Sequence, residues 1–215
     1  KVKGWDDSRI AGMRGFKRVV KVNDTTIAVV ADTWWRAKKA LDALPVQWDE
    51  GPNARVNSAA IAEHVKSGLT GEAYAGRNEG DALKAIEAAP KKVEAVYSTP
   101  FLAHATMEPM NCTARYTPER CEVWVPTQNA EASLAAASEE AGLPLDKCEA
   151  YRHFLGGGFG RRGGNQDYTR QAVAVAKQFP GVPVKLIWSR EEDMTHDFYR
   201  PVSQCRLAAG IDDKG

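Results

Sequence analysis

Within Gly156 to Gly164, GGGFGRRGG, glycines, one aromatic side chain and two arginines crowd into a single short stretch. Glycine lets backbone approach a ligand with no Cβ in the way, and N–H groups converging ahead of a helix suit an anionic group. Residues Gly158, Phe159, Gly160, Arg161, Arg162 and Gly163 also satisfy the G-x-G-x-x-G pattern of dinucleotide-binding folds, with a strand expected before and a helix after. The acidic residue that would bind ribose about 20 residues further on falls near Pro183, and Glu191 and Glu192 come later. The pattern alone therefore leaves a nucleotide loop, another anion-binding loop and a tight structural turn open.

A second concentration of polar side chains is HATMEPMN at 104–111, followed by PTQNAE at 126–131. Gln128 stands just before an expected helix cap, where its amide can donate and accept across a loop. Glu108, directly ahead of Pro109, reads as a local anchor rather than a general base. His104, His153 and His196 share no ligand-like spacing, His64 stands alone, and Ser189 and Ser203 lie in no nucleophile motif. Cys112, Cys121, Cys148 and Cys205 form no CxxC pair and no metal-finger spacing, so neither an iron–sulfur nor a zinc site is expected. In the hairpin NCTARY, TPER, CEVWVP, Tyr116 faces Cys121 and Cys112 faces Val125. That register separates the two thiols by on the order of 13 Å along the ladder, and free thiols are expected.

These residues need elements to position them. Residues 16–48 predict strand, strand, helix, strand, with Trp34, Ala37, Leu41 and Leu44 on one helical face, at least one of Trp34 and Trp35 in the core, and Pro45 ending the pattern. Residues 49–92, with scattered glycines and short helical stretches near 58–66 and 81–88, read as a connecting segment. From Val93 a strand, VEAVYSTP, precedes the hairpin; Asn129 caps a helix that Gly142 and Pro144 terminate; and CEAYRHFL is the next strand. Asn165 is expected to cap the helix QDYTRQAVAVAKQF, and Val182–Trp188 to return as a strand, making a βαβ unit around the glycine loop. Residues 202–215 read as a strand entering an Asp-Asp-Lys-Gly turn whose return strand is missing, and with no initiator Met the chain is expected to be truncated.

At 215 residues, 43% hydrophobic and 27% charged, the chain is long enough for one large or two small domains. Its 29 basic and 28 acidic residues, a net charge of +1, give no electrostatic reason to expect nucleic acid or an anionic membrane surface. No stretch is apolar enough for a membrane span, and KVKGWDDSRI lacks the core of a signal peptide.

Four motifs in order, HATMEPMN, VPTQN, LGGGFGRRGG and PVKLIWSREEDMTHDFYRP, resemble the xanthine dehydrogenase and aldehyde oxidase family, in its molybdopterin-binding large subunit. The likeness is to the bacterial aldehyde dehydrogenase and isoquinoline 1-oxidoreductase beta-subunit type. It covers residues 93–215 strongly, and residues 16–48 look like the end of that family's α/β hammerhead domain. The resemblance implies an α+β chain in three parts: the end of a hammerhead-like domain at 1–52, a connecting segment at 53–92, and the first part of a molybdopterin-binding domain with a mixed sheet at 93–215. It implies a molybdenum–pyranopterin cofactor, in bacteria usually a molybdopterin cytosine dinucleotide, that oxidises an aldehyde or N-heteroaromatic carbon with water as oxygen source. Electrons then leave through iron–sulfur clusters on another subunit or domain. Gln128 matches the family glutamine near the metal oxo ligand, and Gly158, Phe159 and Gly160 match the loop that passes metal and dithiolene. The family's catalytic glutamate has no counterpart within 1–215, so no catalytic residue is assigned and this chain alone is expected to be inactive. Purine-oxidising members carry an acidic residue where Gly163 stands here, which argues against a purine. A Rossmann-type NAD or FAD oxidoreductase and a non-catalytic cofactor-binding module remain the alternatives, and the compartment, periplasmic or cytoplasmic, stays open.

Overall fold

The computed structural model describes residues 1–215 in two compact units. The first comprises residues 1–52 and 103–198, the second residues 53–102 and 199–215. In chain order the elements are β1 (Val2–Trp5), β2 (Phe16–Asn23), β3 (Thr26–Ala31), α1 (Trp34–Ala43), β4 (Val46–Trp48), α2 (Ser58–Ser67), α3 (Ala82–Ala88) and β5 (Lys91–Thr99). There follow β6 (Asn111–Thr117), β7 (Arg120–Pro126), α4 (Ala130–Ala141), β8 (Cys148–His153), α5 (Asp167–Ala176), β9 (Val184–Ile187), α6 (Arg190–Thr195) and β10 (Ser203–Ile211).

In the first unit, β2 and β3 form an antiparallel hairpin whose turn is held by Asn23 Oδ1, which accepts from the Thr25 amide at 2.8 Å. Thr33 caps α1 through its hydroxyl. The strand, strand, helix, strand order expected for 16–48 is present, with β1 added as an antiparallel partner of β4. The buried face of α1 differs from the expectation. Ala40 and Leu44 join Ile10 in a small core, whereas Trp34, Trp35 and Leu41 stay 40%, 60% and 38% exposed. Trp34 and Leu41 line a cleft with Leu186 and Ile187, and the Trp34 indole N–H donates to the Ile187 carbonyl at 2.9 Å. Tryptophan's polar edge favours such a half-exposed place, so a strict 3.6-residue reading mistook this stripe for core.

The larger sheet of this unit has strand order β8-β7-β6-β9 and is mixed: β6 pairs antiparallel with β7 and β9, and β7 pairs parallel with β8. The hairpin register is as the sequence indicates, Tyr116 facing Cys121. Cys112 and Ala114 on β6, Cys121, Val123 and Val125 on β7, Ala137 and Ala141 on α4, and Tyr168, Ala172, Val173 and Ala176 on α5 form one buried cluster. The alternating apolar residues of the two strands thus point at the two helices, each strand burying every second side chain. All four cysteines are free. Asn129 accepts from the Ala132 amide at the start of α4, and Gly142, at φ +70°, closes its other end.

α5 starts differently from its expectation. Gln166 rather than Asn165 occupies the cap position, and its side chain makes no cap bond. Its amide turns instead into a buried polar cluster, donating to the Arg162 carbonyl at 3.1 Å and accepting from the Ser133 hydroxyl at 2.7 Å. The connection β8-α5-β9 is a βαβ crossover, but β7 and β6 lie between its two strands.

The second unit pairs β5 with β10 antiparallel from Thr99↔Ser203 to Lys91↔Ile211, alongside α2 and α3. The short helices expected near 58–66 and 81–88 are α2 and α3. The strand expected after residue 202 is β10, and its partner lies upstream, in β5. No helix is long and apolar enough to cross a membrane.

Candidate cofactor site

Three segments of the first unit converge beyond the ends of β7 and β8: residues 104–111, residues 126–129 and the glycine loop. What draws them together is Arg162, whose side chain is fully buried. Its guanidinium donates to the carbonyls of Gly157 at 3.1 Å, Pro126 at 3.0 Å, Glu108 at 2.6 Å and Pro109 at 3.2 Å, and lies 3.2 Å from the Glu108 carboxylate. Burial pulls the Arg162 pKa below its ordinary value while Glu108 opposes that pull. A planar fork of five donors suits this task, since each segment offers backbone acceptors that a charge can satisfy only in a fixed arrangement. Glu108 is the anchor its position indicated: its carboxylate accepts from the Gly156 amide at 2.9 Å and from Asn111 at 3.0 Å.

Arg161 points the other way. Its side chain is 1% exposed, makes a two-pronged ion pair with Asp167 at 3.0 Å for each contact, and lies over the rings of Trp188 and Phe198. Its Nε is 2.9 Å from Asp197 Oδ1, an ion pair rather than an aligned hydrogen bond. Asp197 Oδ2 in turn accepts from both the backbone amide and the ring Nδ1 of His104, the latter at 2.9 Å. Arg190 holds segment 104–111 from a further side, donating to the carbonyls of Thr106 and Met107, and pairs at 3.0 Å with Asp193. Asp193 is raised above the usual carboxylate range chiefly by burial.

On this frame the loop makes two successive tight turns, Arg161 N–H to the Gly158 carbonyl and Gly163 N–H to the Gly160 carbonyl, each at 2.9 Å. Gly160 has φ +104°, and Phe159 adopts φ +54°, rare for a residue with a side chain, with its ring exposed. Gln128 packs directly on Gly158: a Cβ there would stand 2.4 Å from Gln128 Oε1. The same Oε1 accepts from the Gly160 amide at 3.0 Å. A backbone N–H requires an acceptor, so the amide orientation is fixed and Nε2, which donates to no protein atom, faces outward.

Structure thus brings Gln128, Gly158, Phe159 and Gly160 to one edge. Around the Glu108 anchor it adds residues whose roles no spacing indicated: Arg161, Arg162, Asp197 and Arg190. The outward donor is neutral, Gln128 Nε2, and it stands beside Gly158 and Gly160, which carry no Cβ, an arrangement that fits a ligand with an oxygen acceptor lying close to the backbone. The Rossmann alternative fails on topology. β8 is an edge strand, the strand after α5 is not its neighbour, and α5 begins at Asp167, beyond the last glycine of the pattern.

Comparison with known proteins agrees. A family model described as a molybdopterin cofactor-binding domain matches residues 65–215. The chain is 28% identical over 221 residues to a membrane-bound aldehyde dehydrogenase [pyrroloquinoline-quinone] of Gluconacetobacter polyoxogenes, covering 99% of this chain and 28% of that protein. It is 27% identical over 175 residues to the xanthine dehydrogenase molybdenum-binding subunit of Escherichia coli O157:H7, covering 79% of this chain and 23% of that one. Among solved structures, quinoline 2-oxidoreductase from Pseudomonas putida 86 superposes with a TM-score of 0.71 at 16% identity, over 99% of this chain and 32% of the other, a likeness of fold. The chain therefore spans about a quarter to a third of the length of these relatives. With the glycine loop, its glutamine and the mixed sheet in place, the chain belongs to the molybdopterin cofactor-binding domain family, that of the xanthine dehydrogenases and aldehyde oxidases.

Proposed function

We propose that the full-length protein is a molybdenum hydroxylase large subunit that oxidises an aldehyde or an N-heteroaromatic substrate with water as oxygen source and passes electrons to iron–sulfur clusters on a partner subunit or domain. The observation that carries this reading is the orientation of Gln128: Oε1 is consumed by the Gly160 amide, leaving Nε2 as an outward donor over a glycine surface. When bound, a molybdenum–pyranopterin, in its cytosine dinucleotide form, supplies oxygen-transfer and two-electron chemistry. The chain's own part is to bind and orient. Gln128 Nε2 donates to an oxygen of the group, Gly158 and Gly160 let backbone lie against it, and Phe159 shields it from water with an exposed ring. Arg162 holds these parts in register without touching the ligand. Residues 1–52 are read as the end of a hammerhead-like domain, 53–92 as a connecting segment and 93–215 as the start of the cofactor-binding domain. Gly163, in place of an acidic residue, favours an aldehyde or simple heterocycle over a purine.

The name of one relative carries pyrroloquinoline quinone; the molybdenum reading rests instead on the family model and on the molybdenum-binding subunit. Elemental and cofactor analysis of the purified full-length protein separates the possibilities. Molybdenum, a pterin and released cytidine monophosphate in equal amounts are expected. Bound quinone, flavin or nicotinamide without molybdenum would refute the proposal.

A further inference from the structure

Among the four cysteines one pair stands in register. Strands β7 and β8 run parallel, and Cys121 on the first is the Cα partner of Cys148 on the second. Cys112 lies beside Leu186 and Cys205 beside Tyr97, so neither has a thiol opposite it. Register partners in a sheet direct their side chains to one face. Here that face is the core: Cys121 is buried with Val123 and Val125, and Cys148 and Ala150 pack against the same cluster. Both cysteines are thiols in this structure.

Strand spacing decides what the pair can do. Neighbouring strands lie about 4.8 Å apart, inside the Cα range of about 4.4 to 6.8 Å over which a disulfide closes. Side chains leaving parallel neighbours start nearly as far apart, just beyond the usual Cβ range of about 3.5 to 4.5 Å, so the strands must draw together slightly. β8 can give way, because it is an edge strand paired on one side only. Cys148 is its first residue, directly after a short helical turn at Leu145–Lys147, and Cys121 is the second residue of β7, just behind the hairpin turn. Cys148 is half-buried whereas Cys121 is fully buried. An oxidant therefore meets Cys148 first, and the Cys121 sulfur stands where it can resolve the product.

We propose that Cys121 and Cys148 form a reversible, redox-responsive clasp between β7 and β8. The Cys148 sulfur takes an oxygen from hydrogen peroxide, giving a sulfenic acid and water. The Cys121 sulfur then attacks the Cys148 sulfur: an S–S bond forms, the S–O bond breaks, and a second water leaves with the Cys121 proton. Two thiols are oxidised and one peroxide is reduced. The contraction that the bond demands makes it readily reducible rather than permanent. It joins the two strands that lead to the candidate site, β7 through Pro126 to Gln128 and β8 into the glycine loop at Gly156, whichever cofactor that site holds.

The test treats the native full-length protein with hydrogen peroxide, alkylates the remaining thiols under denaturing conditions and maps cysteine peptides by mass spectrometry. Peptides linked through Cys121 and Cys148 are expected, and a mild thiol reductant should separate them without denaturant. In Cys148→Ala the Cys121 thiol should survive the same treatment. Hydrogen exchange gives a second reading: amides of β8 should exchange at least about tenfold more slowly in the linked form than in the reduced one. Cys121 recovered as a free thiol after Cys148 has been oxidised to the sulfinic acid would overturn the proposal, as would a bond from Cys148 to any other cysteine. A link that the reductant reaches only in denaturant would overturn it too, marking a structural bond in place of a switch, and so would β8 exchange that the link leaves unchanged.

Discussion

Gln128 carries an acceptor and a donor on one planar group, and the Gly160 amide claims the acceptor. The remaining donor stands at an exposed edge, and on the proposed reading it meets an oxygen of the cofactor. In the full-length enzyme Gln128→Ala removes that donor and Gln128→Glu replaces it with an acceptor that is negatively charged at neutral pH. Loss of one preorganised donor costs about 100- to 1,000-fold in turnover. Both variants are expected to lose turnover on that scale, Gln128→Glu more, and steady-state kinetics normalised to molybdenum content would check it; wild-type rates at full occupancy would remove Gln128 from the site. Gln128 was legible because its motif is local. Arg162 was not, since its partners are backbone carbonyls of Pro126, Glu108, Pro109 and Gly157, and a carbonyl leaves no mark on a side-chain pattern. Asp197 was equally hidden, 93 residues from the histidine it holds.

The loop as an element depends on which glycines are crowded and which are merely free. At Gly158 a Cβ meets Gln128 Oε1, Cδ and Cγ at 2.4, 2.6 and 2.9 Å, so even Gly158→Ala must push the Gln128 side chain aside and leave the Gly160 amide without its acceptor. At Gly164 a Cβ meets nothing within 4 Å and φ is not in the left-handed region. Gly158→Ala in the full-length protein is therefore expected to lower molybdenum content severalfold while the protein still folds, and Gly164→Ala to change it little. Metal analysis beside a melting curve distinguishes the two; equal loading would make Gly158 a structural turn and nothing more. Element types and order were readable from period and caps, as for α4 between Asn129 and Gly142. The failures came where a side chain answered to tertiary partners rather than to its own helix. Trp34 turned its indole to the Ile187 carbonyl, and Gln166 displaced Asn165 at the head of α5 because Ser133 and the Arg162 carbonyl claimed its amide.

Across the whole molecule, burial is unevenly shared. The mixed sheet of the first unit packs against α4 and α5 with Cys112, Ala114, Cys121, Val123 and Val125 fully buried, whereas β5 and β10 bury no residue. The two thiols in that core show the same desolvation: burial pushes Cys121 up to about 12 and Cys112 higher still. By contrast β5 leaves Val93, Val96 and Tyr97 half exposed or more, and β10 leaves Leu207 so. Hydrogen bonds of a two-stranded ribbon are protected only as far as packing keeps water from them, and such a ribbon is marginal by itself. Hydrogen exchange of the 215-residue chain is thus expected to be at least about tenfold faster at the paired amides of β5 and β10 than at those of β6 and β7, a gap of about 1.4 kcal/mol or more in opening free energy. Thiol labelling gives an independent reading of the same unevenness. Cys205, exposed on β10, should react in the native chain at neutral pH, while Cys112 and Cys121 should react only on opening of the first unit. Equal protection in both sheets, with Cys205 and Cys121 labelling at one rate, would mean that the ribbon and the mixed sheet open as one cooperative body despite their difference in burial.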